Sequence, residues 1–199
     1  MSIPIIAHRT CPLDAPENSL AGIRKAKELG ADGVEIDVRR SLESVPVLMH
    51  DRSLRRTTGV PVPVRLAPLF LLRRLRLQGT QEGVPTLAEA LEALPEGLFM
   101  AVEVKDARAA PGTLRLVRQR QMEGRVLLWS YRERAVRLFA REAPEIETAL
   151  LRDDTDPEGL RRFLEDATRF GARGISAHWA AITPQFVGEA HDRGLRVYS

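Results

Sequence analysis

Residues 31–40 read A-D-G-V-E-I-D-V-R-R, and this stretch decides the fold. Apolar β-branched residues alternate here with Glu35 and Asp37, and a period of two is that of a β-strand. The pattern predicts a strand over Gly33–Val38. Because alternate side chains of a strand point to the same face, the carboxylates of Glu35 and Asp37 should lie side by side.

Two neighbouring carboxylates on such a strand need a compensating group. The alternative is that both acids lie on the solvent face of an edge strand, which fits poorly with a strand covered on both sides. When two acids are buried together, at least one tends to stay protonated unless a cation compensates them. We therefore expect Glu35 and Asp37 to bind a metal ion.

A second strand end carries a similar pair of charged residues in A-V-E-V-K, residues 101–105. Glu103 would add a third hard oxygen ligand and so complete a site for one divalent cation, Mg²⁺ or Ca²⁺. Lys105 would then face a phosphate group. Alternatively, Glu103 and Lys105 form an ion pair with each other, and the residues alone leave both interpretations open.

Two histidines flank these acids. His8 ends the first predicted strand and precedes Arg9, whose guanidinium can donate two hydrogen bonds to a phosphate. His50 ends the apolar run that follows the acidic strand. A single histidine at a strand end is more often structural, but imidazoles that titrate near neutral pH are suited to give and take protons. His8 and His50 are therefore candidate acid/base groups.

Further along the chain, short runs rich in Val, Ile and Leu alternate with longer segments of helical period. This alternation predicts an α/β protein with βα units and a parallel sheet. Helix caps support the division, such as the capping box Thr86–Glu89 and a cap at Asn18 or Ser19. The predicted strands are Ile3–Ala7, Gly33–Val38, Leu98–Val104, Val126–Ser130, Glu147–Leu151, Arg173–Ala177 and Leu195–Tyr198.

The apolar run Pro46–His50 breaks this alternation, because only seven residues separate it from the strand that ends at Val38. A parallel crossover needs a dozen or more residues, so the run is predicted to be the second arm of an antiparallel hairpin. With the tip near Leu42–Glu43, the second arm brings His50 back opposite Glu35 or a neighbour.

The length of 199 residues predicts a single domain over residues 1–199, with a small insertion at about 52–84 that contains one short helix. No apolar run approaches the ~20 residues of a membrane span, and the N-terminus lacks the basic region of a signal peptide. We expect a cytoplasmic protein without a stable membrane anchor, and the single Cys11 fits a reducing compartment.

The formal net charge of +3 comes almost entirely from arginines. They do not gather into one basic block, and we interpret them as a solvated surface rather than a nucleic-acid site. The scarcity of asparagine is typical of thermophilic proteins, which makes the one asparagine, Asn18, worth explaining. The arginine pairs are Arg39–Arg40, Arg55–Arg56, Arg73–Arg74 and Arg161–Arg162.

Over nearly the whole chain, the order and spacing of several motifs resemble the glycerophosphodiester phosphodiesterase family of the PLC-like phosphodiesterase superfamily. The N-terminal motifs are I-A-H-R, A-P-E-N-S, G-A-D-G-V-E-I-D-V and V-P-V-L-M-H-D. The later ones are V-P-T-L-A-E-A-L, A-V-E-V-K, L-L-W-S-Y, A-H-W with I-T-P, and G-L-R-V-Y.

The resemblance implies a TIM-type β/α barrel and an enzyme that uses a divalent metal to hydrolyse small glycerophosphodiesters. The products would be glycerol 3-phosphate and an alcohol, formed through a cyclic phosphate. His8 and His50 match the family's acid/base pair, and Glu35, Asp37 and Glu103 match its metal ligands. The residues that match its substrate or phosphate site are Arg9, Lys105, Glu17, Asn18 and Trp179, whereas Trp129 is expected in the core.

Three departures from the family pattern bear on these expectations. Thr10 replaces the usual glycine, which can place the backbone near the phosphate differently. S-L-E-S, residues 41–44, replaces a favoured hairpin turn. The sequence stops at V-Y-S, so the last βα unit is expected to be missing, leaving an open or strained seam and a possible homodimer across the exposed edge.

Two other functions fit the same residues. One is a phospholipase-like phosphodiesterase of the same superfamily that takes larger headgroups or lipid, with Leu69–Leu72 beside Arg73–Arg74 as its apolar and basic rim. The other is a catalytically impaired module that binds glycerophosphodiesters, which Thr10 and the missing end leave open.

Overall fold

The computed structural model describes residues 3–199, and these form two compact units that meet in sequence at Val126–Leu127. The predicted single domain over residues 1–199 stays a prediction. Among residues 3–199, no helix has both the length and the apolar character that crossing a bilayer requires.

The first unit contains the acidic strand and its neighbours. The acidic strand pairs in parallel with a strand on each side, as the βα alternation predicts. The strand that follows it in sequence pairs with it antiparallel, which confirms the hairpin. In this register Asp37 lies opposite Glu103, and Val38 lies opposite Leu48. The strands are β1 (Ile6–Ala7), β2 (Gly33–Arg40), β3 (Pro46–Leu48) and β4 (Phe99–Val104).

The first strand is shorter than predicted because Ile3 and Ile5, which are 87% and 66% exposed, lie outside it. That part of the strand was predicted from its apolar composition alone, but the side chains of Ile3 and Ile5 do not pack in the core.

Two helices of the first unit begin where the capping signals place them. The hydroxyl of Ser19 accepts a hydrogen bond from Gly22 N, and Thr86 and Glu89 form the predicted reciprocal capping box. The helices are α1 (Leu20–Glu28), α2 (Arg55–Thr58), α3 (Leu69–Arg74), α4 (Leu87–Ala93) and α5 (Ala110–Gln119). Short 3-10 turns lie at His8–Thr10, Val64–Leu66, Ala107–Ala109 and Glu123–Arg125.

The segment 52–84 contains two short α-helices, α2 and α3, and a 3-10 turn, where one short helix was expected. Its apolar residues pack against Val47 and Met49, which lie on and just after β3. Burial of this apolar surface stabilises the arm of the hairpin that leads to His50. The buried residues of the segment are Leu54, Val64, Ala67, Leu72, Leu77 and Val84.

The second unit continues the βα alternation with four parallel strands, each hydrogen-bonded to the next. Trp129 is buried and packs on Tyr198 with ring centroids 5.0 Å apart, which confirms that it is a core residue. The elements are β5 (Val126–Ser130), α6 (Glu133–Glu142), β6 (Glu147–Arg152), α7 (Pro157–Phe170), β7 (Gly174–Ala177), α8 (Pro184–Asp192) and β8 (Arg196–Tyr198).

Candidate active site

Three carboxylates meet on one face of β2 and β4. Asp37 lies opposite Glu103 across the two strands, and Glu35 points to the same face two residues earlier on β2. One oxygen of each carboxylate lies within 4.8 Å of the others. The residues are buried, with 5%, 1% and 6% of Glu35, Asp37 and Glu103 exposed. The structure therefore brings together the three residues predicted as metal ligands.

Burial affects both the hydrogen bonding and the pKa values of these acids. Glu35 Oε1 and Glu103 Oε1 are buried and accept no hydrogen bond from residues 3–199. Burial, reinforced by the charge of Asp37, raises the pKa of Glu35 well above its ordinary value, and burial also raises the pKa of Glu103. Ca²⁺ binds carboxylate oxygens at about 2.3–2.6 Å, so one ion can reach oxygens about 5 Å apart. Donor type, spacing and unpaired oxygens all fit one hard divalent cation.

Lys105 supplies the positive charge nearest to the three acids. Its ammonium nitrogen Nζ lies 2.7 Å from Glu103 Oε2 and 3.0 Å from Asp37 Oδ1. Although burial opposes the charged form, these two carboxylates raise the pKa of Lys105. The ion pair between Glu103 and Lys105, which the sequence left open, is therefore present, and it also involves Asp37. One ammonium does not neutralise three carboxylates.

Asn18 holds Asp37 through a reciprocal pair of hydrogen bonds. Its Nδ2 donates to Asp37 Oδ2 at 2.8 Å, and its Oδ1 accepts from the backbone N–H of Asp37 at 2.8 Å. Asn18 is 3% exposed, and its φ of 55° lies in the left-handed region, which asparagine tolerates better than most residues. The side chain predicted to contact substrate therefore positions a carboxylate in this structure.

The turn after β1 brings the backbone of Arg9 to the acids. Arg9, Thr10 and Cys11 have φ values of 47°, 65° and 71°. At the start of this left-handed run, the N–H of Arg9 donates a hydrogen bond of 2.8 Å to Glu35 Oε2. The guanidinium of Arg9 donates no hydrogen bond to residues 3–199, and its nearest acidic oxygen, on Glu17, is 3.7 Å away. Its donors are therefore available to an anion.

Thr10 is a β-branched residue in a backbone conformation that costs such residues on the order of 1–3 kcal/mol. Its side chain is fully buried, and its hydroxyl accepts a hydrogen bond from Ser19 N at 3.3 Å. The turn fits against α1 because Gly22 has no side chain: a Cβ there would lie 2.2 Å from Thr10 O. Packing against α1 therefore holds the strained turn in place.

The two candidate acid/base residues differ in their surroundings. The imidazole of His8 is largely exposed, and its Nε2 lies 4.0 Å from Glu35 Oε2. Partial desolvation, together with the charge of Arg9, lowers the pKa of His8. The neutral form, which can accept a proton, therefore prevails at neutral pH.

His50 is held from two sides. Its Nδ1 lies 2.7 Å from Asp51 Oδ1, and its backbone carbonyl accepts hydrogen bonds of 2.9 and 2.7 Å from Nε and Nη2 of Arg39. Because an ionised carboxylate only accepts hydrogen bonds, Nδ1 carries the hydrogen and Nε2 is left for proton transfer.

The arginine pairs were interpreted as solvated surface; Arg56 is exposed as expected and Arg39 is partly buried, but both have specific partners at the site. Arg39 holds the backbone of His50, and Arg56 hydrogen-bonds to both Asp51 and Glu17. No periodicity could have revealed these partners, since Arg56 and Glu17 are 39 positions apart in the sequence. The only sequence signal was the position of Arg56 just beyond the His50–Asp51 pair.

Trp179 belongs to the second compact unit and forms part of a 3-10 turn after β7. Its indole is 75% exposed, and its ring centroid lies 5.5 Å from that of His178. Its predicted place near substrate stays a prediction.

Comparison with known proteins identifies relatives over the whole length of the chain. A model of the glycerophosphoryl diester phosphodiesterase family matches residues 8–199. The glycerophosphodiester phosphodiesterase of Caldanaerobacter subterraneus subsp. tengcongensis is 27% identical over 210 residues, covering 100% of this chain and 85% of that protein. Glycerophosphodiester phosphodiesterase 1 of Mus musculus is 41% identical over 112 residues, covering 52% of this chain and 34% of the mouse protein.

Solved structures agree with this relationship. An Oleispira antarctica phosphodiesterase in complex with the product sn-glycerol-3-phosphate has a TM-score of 0.87 and 26% identity, covering 98% of this chain and 83% of that chain. The Thermotoga maritima glycerophosphodiester phosphodiesterase has a TM-score of 0.81, covering 100% of this chain and 87% of that chain. Its sequence identity of 24% is low, so this likeness supports the fold alone. These likenesses confirm the predicted TIM-type β/α fold class.

The raised pKa of Glu35 leads to a prediction for the protein in the presence of a chelator. A raised pKa in the folded state means that folding favours the protonated acid, so the free energy of unfolding should fall as the pH rises above the ordinary value of 4.5. Glu35→Gln should remove this decline and be more stable than the unmodified protein at pH 7 to 8. Urea unfolding followed by circular dichroism measures the difference.

The exposed Glu96 provides the matched control, because Glu96→Gln makes the same chemical change on the surface. Its unfolding free energy should follow that of the unmodified protein at every pH. Parallel curves for Glu35→Gln and Glu96→Gln would contradict the repulsion argued for the buried acids.

Proposed function

Because the chain belongs to the glycerophosphoryl diester phosphodiesterase family, we propose that it hydrolyses small glycerophosphodiesters to glycerol 3-phosphate and an alcohol. One observation carries the proposal: the buried cluster of Glu35, Asp37 and Glu103 lies beside the cationic side chains of Arg9 and Lys105, with His8 Nε2 4.0 Å from Glu35 Oε2. The product in the Oleispira antarctica phosphodiesterase, sn-glycerol-3-phosphate, supports the same substrate class.

One divalent cation, Ca²⁺ or Mg²⁺, would be held by Glu35, Asp37 and Glu103. The unpaired oxygens of Glu35 and Glu103 support this assignment, since uncompensated buried acids are costly. When bound, such an ion withdraws electron density from a phosphoryl oxygen and stabilises the charge that develops there. Asn18 fixes the orientation of Asp37, so we assign it to positioning a metal ligand.

Arg9 and Lys105 would contact the phosphate. The Arg9 guanidinium has donors without protein partners, and a planar guanidinium can donate two parallel hydrogen bonds to one phosphate. Lys105 has three N–H donors and lies between Glu103 and Asp37, from which it can also reach a phosphoryl oxygen. We keep Trp179 as a residue near the substrate.

The two histidines would exchange a proton in two steps. In the first step, one histidine accepts the proton of the glycerol 2-hydroxyl while its oxygen bonds to phosphorus. The bond from phosphorus to the alcohol oxygen breaks, and the other histidine donates a proton to that oxygen. In the second step water opens the cyclic phosphate, and the two histidines reverse their roles, so both return to their starting protonation states.

A phospholipase-like activity is the second candidate, and one observation favours it. In the predicted rim Leu69–Leu72, Phe70 is 65% exposed and is followed by the exposed Arg73 and Arg74, whereas Leu72 is buried. An apolar surface flanked by positive charge suits an anionic lipid surface.

A turnover assay tests the proposed function. Glycerophosphocholine, glycerophosphoethanolamine and a phosphatidylinositol are each incubated with enzyme and Mg²⁺ or Ca²⁺. Release of glycerol 3-phosphate is measured for the two small diesters, and release of diacylglycerol or inositol for the phosphatidylinositol. We expect release from the two small diesters and loss of turnover in excess chelator. Turnover of the phosphatidylinositol alone would favour the phospholipase-like activity, and undiminished turnover in chelator would contradict the assigned metal site.

His8→Ala and His50→Ala should each lower kcat by about 10²-fold or more, because each removes a positioned acid or base. Neither change should alter thermal stability appreciably, and the added cation should still stabilise both variants. His191→Ala is the control, since His191 lies on α8 and is exposed. Its kcat should equal that of the unmodified protein, and full activity in either site variant would rule that histidine out.

The cyclic mechanism makes a prediction for a substrate analogue. A diester whose glycerol lacks the 2-hydroxyl has no internal nucleophile, so its hydrolysis should be slower by several orders of magnitude. Single-turnover measurements with the analogue and the natural diester give the comparison. Equal rates would show that water attacks phosphorus directly.

A further inference from the structure

Arg56 has no part in the reaction described above, yet its guanidinium donates four hydrogen bonds, to the carboxylates of Asp51 and Glu17. We propose that Arg56 is a positioning residue: it holds Asp51, and through Asp51 the imidazole of His50, in a fixed place relative to the residues that hold the metal ligand Asp37. The inference rests on the proposed function, in which His50 transfers a proton.

The contacts of Arg56 form two forks. Nε donates to Asp51 Oδ2 at 2.7 Å and Nη2 donates to Asp51 Oδ1 at 3.1 Å. Nη1 and Nη2 each donate to the carboxylate of Glu17 at 2.7 Å. A guanidinium has five N–H donors, and four of them are used here. Arg56 therefore has only one N–H donor left and cannot form a fork on a phosphate, unlike Arg9.

Both partners of Arg56 are ionised. Its hydrogen bonds lower the pKa of Asp51 and the pKa of Glu17, and the two carboxylates together raise the pKa of Arg56. Charge-assisted forks of this kind fix orientation as well as adding energy. About half of the Arg56 side chain is exposed, and exposed ion pairs contribute little to stability. The effect of Arg56 is therefore to orient its two partners.

The fork on Asp51 determines the orientation of the His50 imidazole. Asp51 uses Oδ1 for His50 Nδ1, while Arg56 holds Oδ2 and so prevents the carboxylate from rotating away. Arg39 fixes only the backbone carbonyl of His50 and leaves the ring free to turn. Asp51 and Arg56 together therefore set the tautomer and the plane of the imidazole.

The fork on Glu17 connects His50 to the other half of the site. Glu17 precedes Asn18, whose amide is paired with Asp37 on both sides. The dipeptide Glu17–Asn18 thus joins two chains of contacts, one to the proton-transfer residue and one to the acidic cluster. This arrangement gives Glu17 a role in positioning His50 in addition to its predicted place near substrate.

Arg56→Ala, Arg56→Lys and the control Arg55→Ala test the proposal by turnover. Arg55 neighbours Arg56 on α2, is exposed, and its side chain makes no hydrogen bond or ion pair with residues 3–199. We expect Arg56→Ala to lower kcat by about 10- to 100-fold with KM nearly unchanged, as for loss of a partner that orients a functional side chain. Arg56→Lys should lose almost as much, because an ammonium cannot form two forks. Arg55→Ala should behave as the unmodified protein.

Millimolar guanidinium ion should restore part of the activity of Arg56→Ala and none of that of His50→Ala. A change that merely weakened the fold would not respond in this way. A loss expressed in KM alone would show that Arg56 contacts substrate, and wild-type kcat in Arg56→Ala would overturn the proposal. If Arg56→Ala does not fold, Arg56→Lys, which keeps the charge, decides the question by the same measurements.

The ¹⁵N resonances of the His50 ring give a readout that does not depend on turnover. The unmodified protein should show hydrogen on Nδ1 alone, whereas Arg56→Ala should show a mixture of tautomers. If the unmodified protein fails to release glycerol 3-phosphate, the proposed function is wrong, and these spectra still judge the role of Arg56. Identical His50 spectra in the two proteins would overturn it.

Discussion

The repulsion among three buried carboxylates is the constraint on which the first unit depends. Glu35, Asp37 and Glu103 lie together because the parallel pairing of β2 and β4 puts them on one face. The fold therefore bears an electrostatic cost, which a bound cation would remove. Lys105 offsets part of this cost, and the raised pKa values of Glu35 and Glu103 indicate that part of it remains.

Much of the surrounding structure serves to keep these oxygens in place. The N–H of Arg9 donates to Glu35 at the start of a turn of three left-handed residues, one of them the β-branched Thr10. Glycine would adopt this conformation without strain, which explains why the family pattern has glycine at the position of Thr10. The absence of a side chain at Gly22 makes room for the turn, so packing of α1 stabilises the conformation that the residue itself disfavours.

The strand residues and the caps were predictable because both follow local rules. Alternation identified Glu35, Asp37 and Glu103, and the capping box at Thr86 appeared where predicted. The length of the connection to Pro46 was enough to predict the antiparallel hairpin. The segment 52–84 was predicted less well, because such short helices depend on tertiary packing. Leu72 of α3 packs in the cluster with Val47 and Met49, whereas α2, R-R-T-T, has no apolar residue that a sequence pattern could reveal.

The sequence by itself determined which side chains face the site, since the period of two along a strand and the length of a connection are local properties. Motif order likewise indicated the family. Only the tertiary structure decided which partners those side chains have. Asn18 meets Asp37 from 19 positions away, and Arg56 meets Glu17 from 39 positions away. No local pattern specifies such pairs, because they arise from the folded path of the backbone.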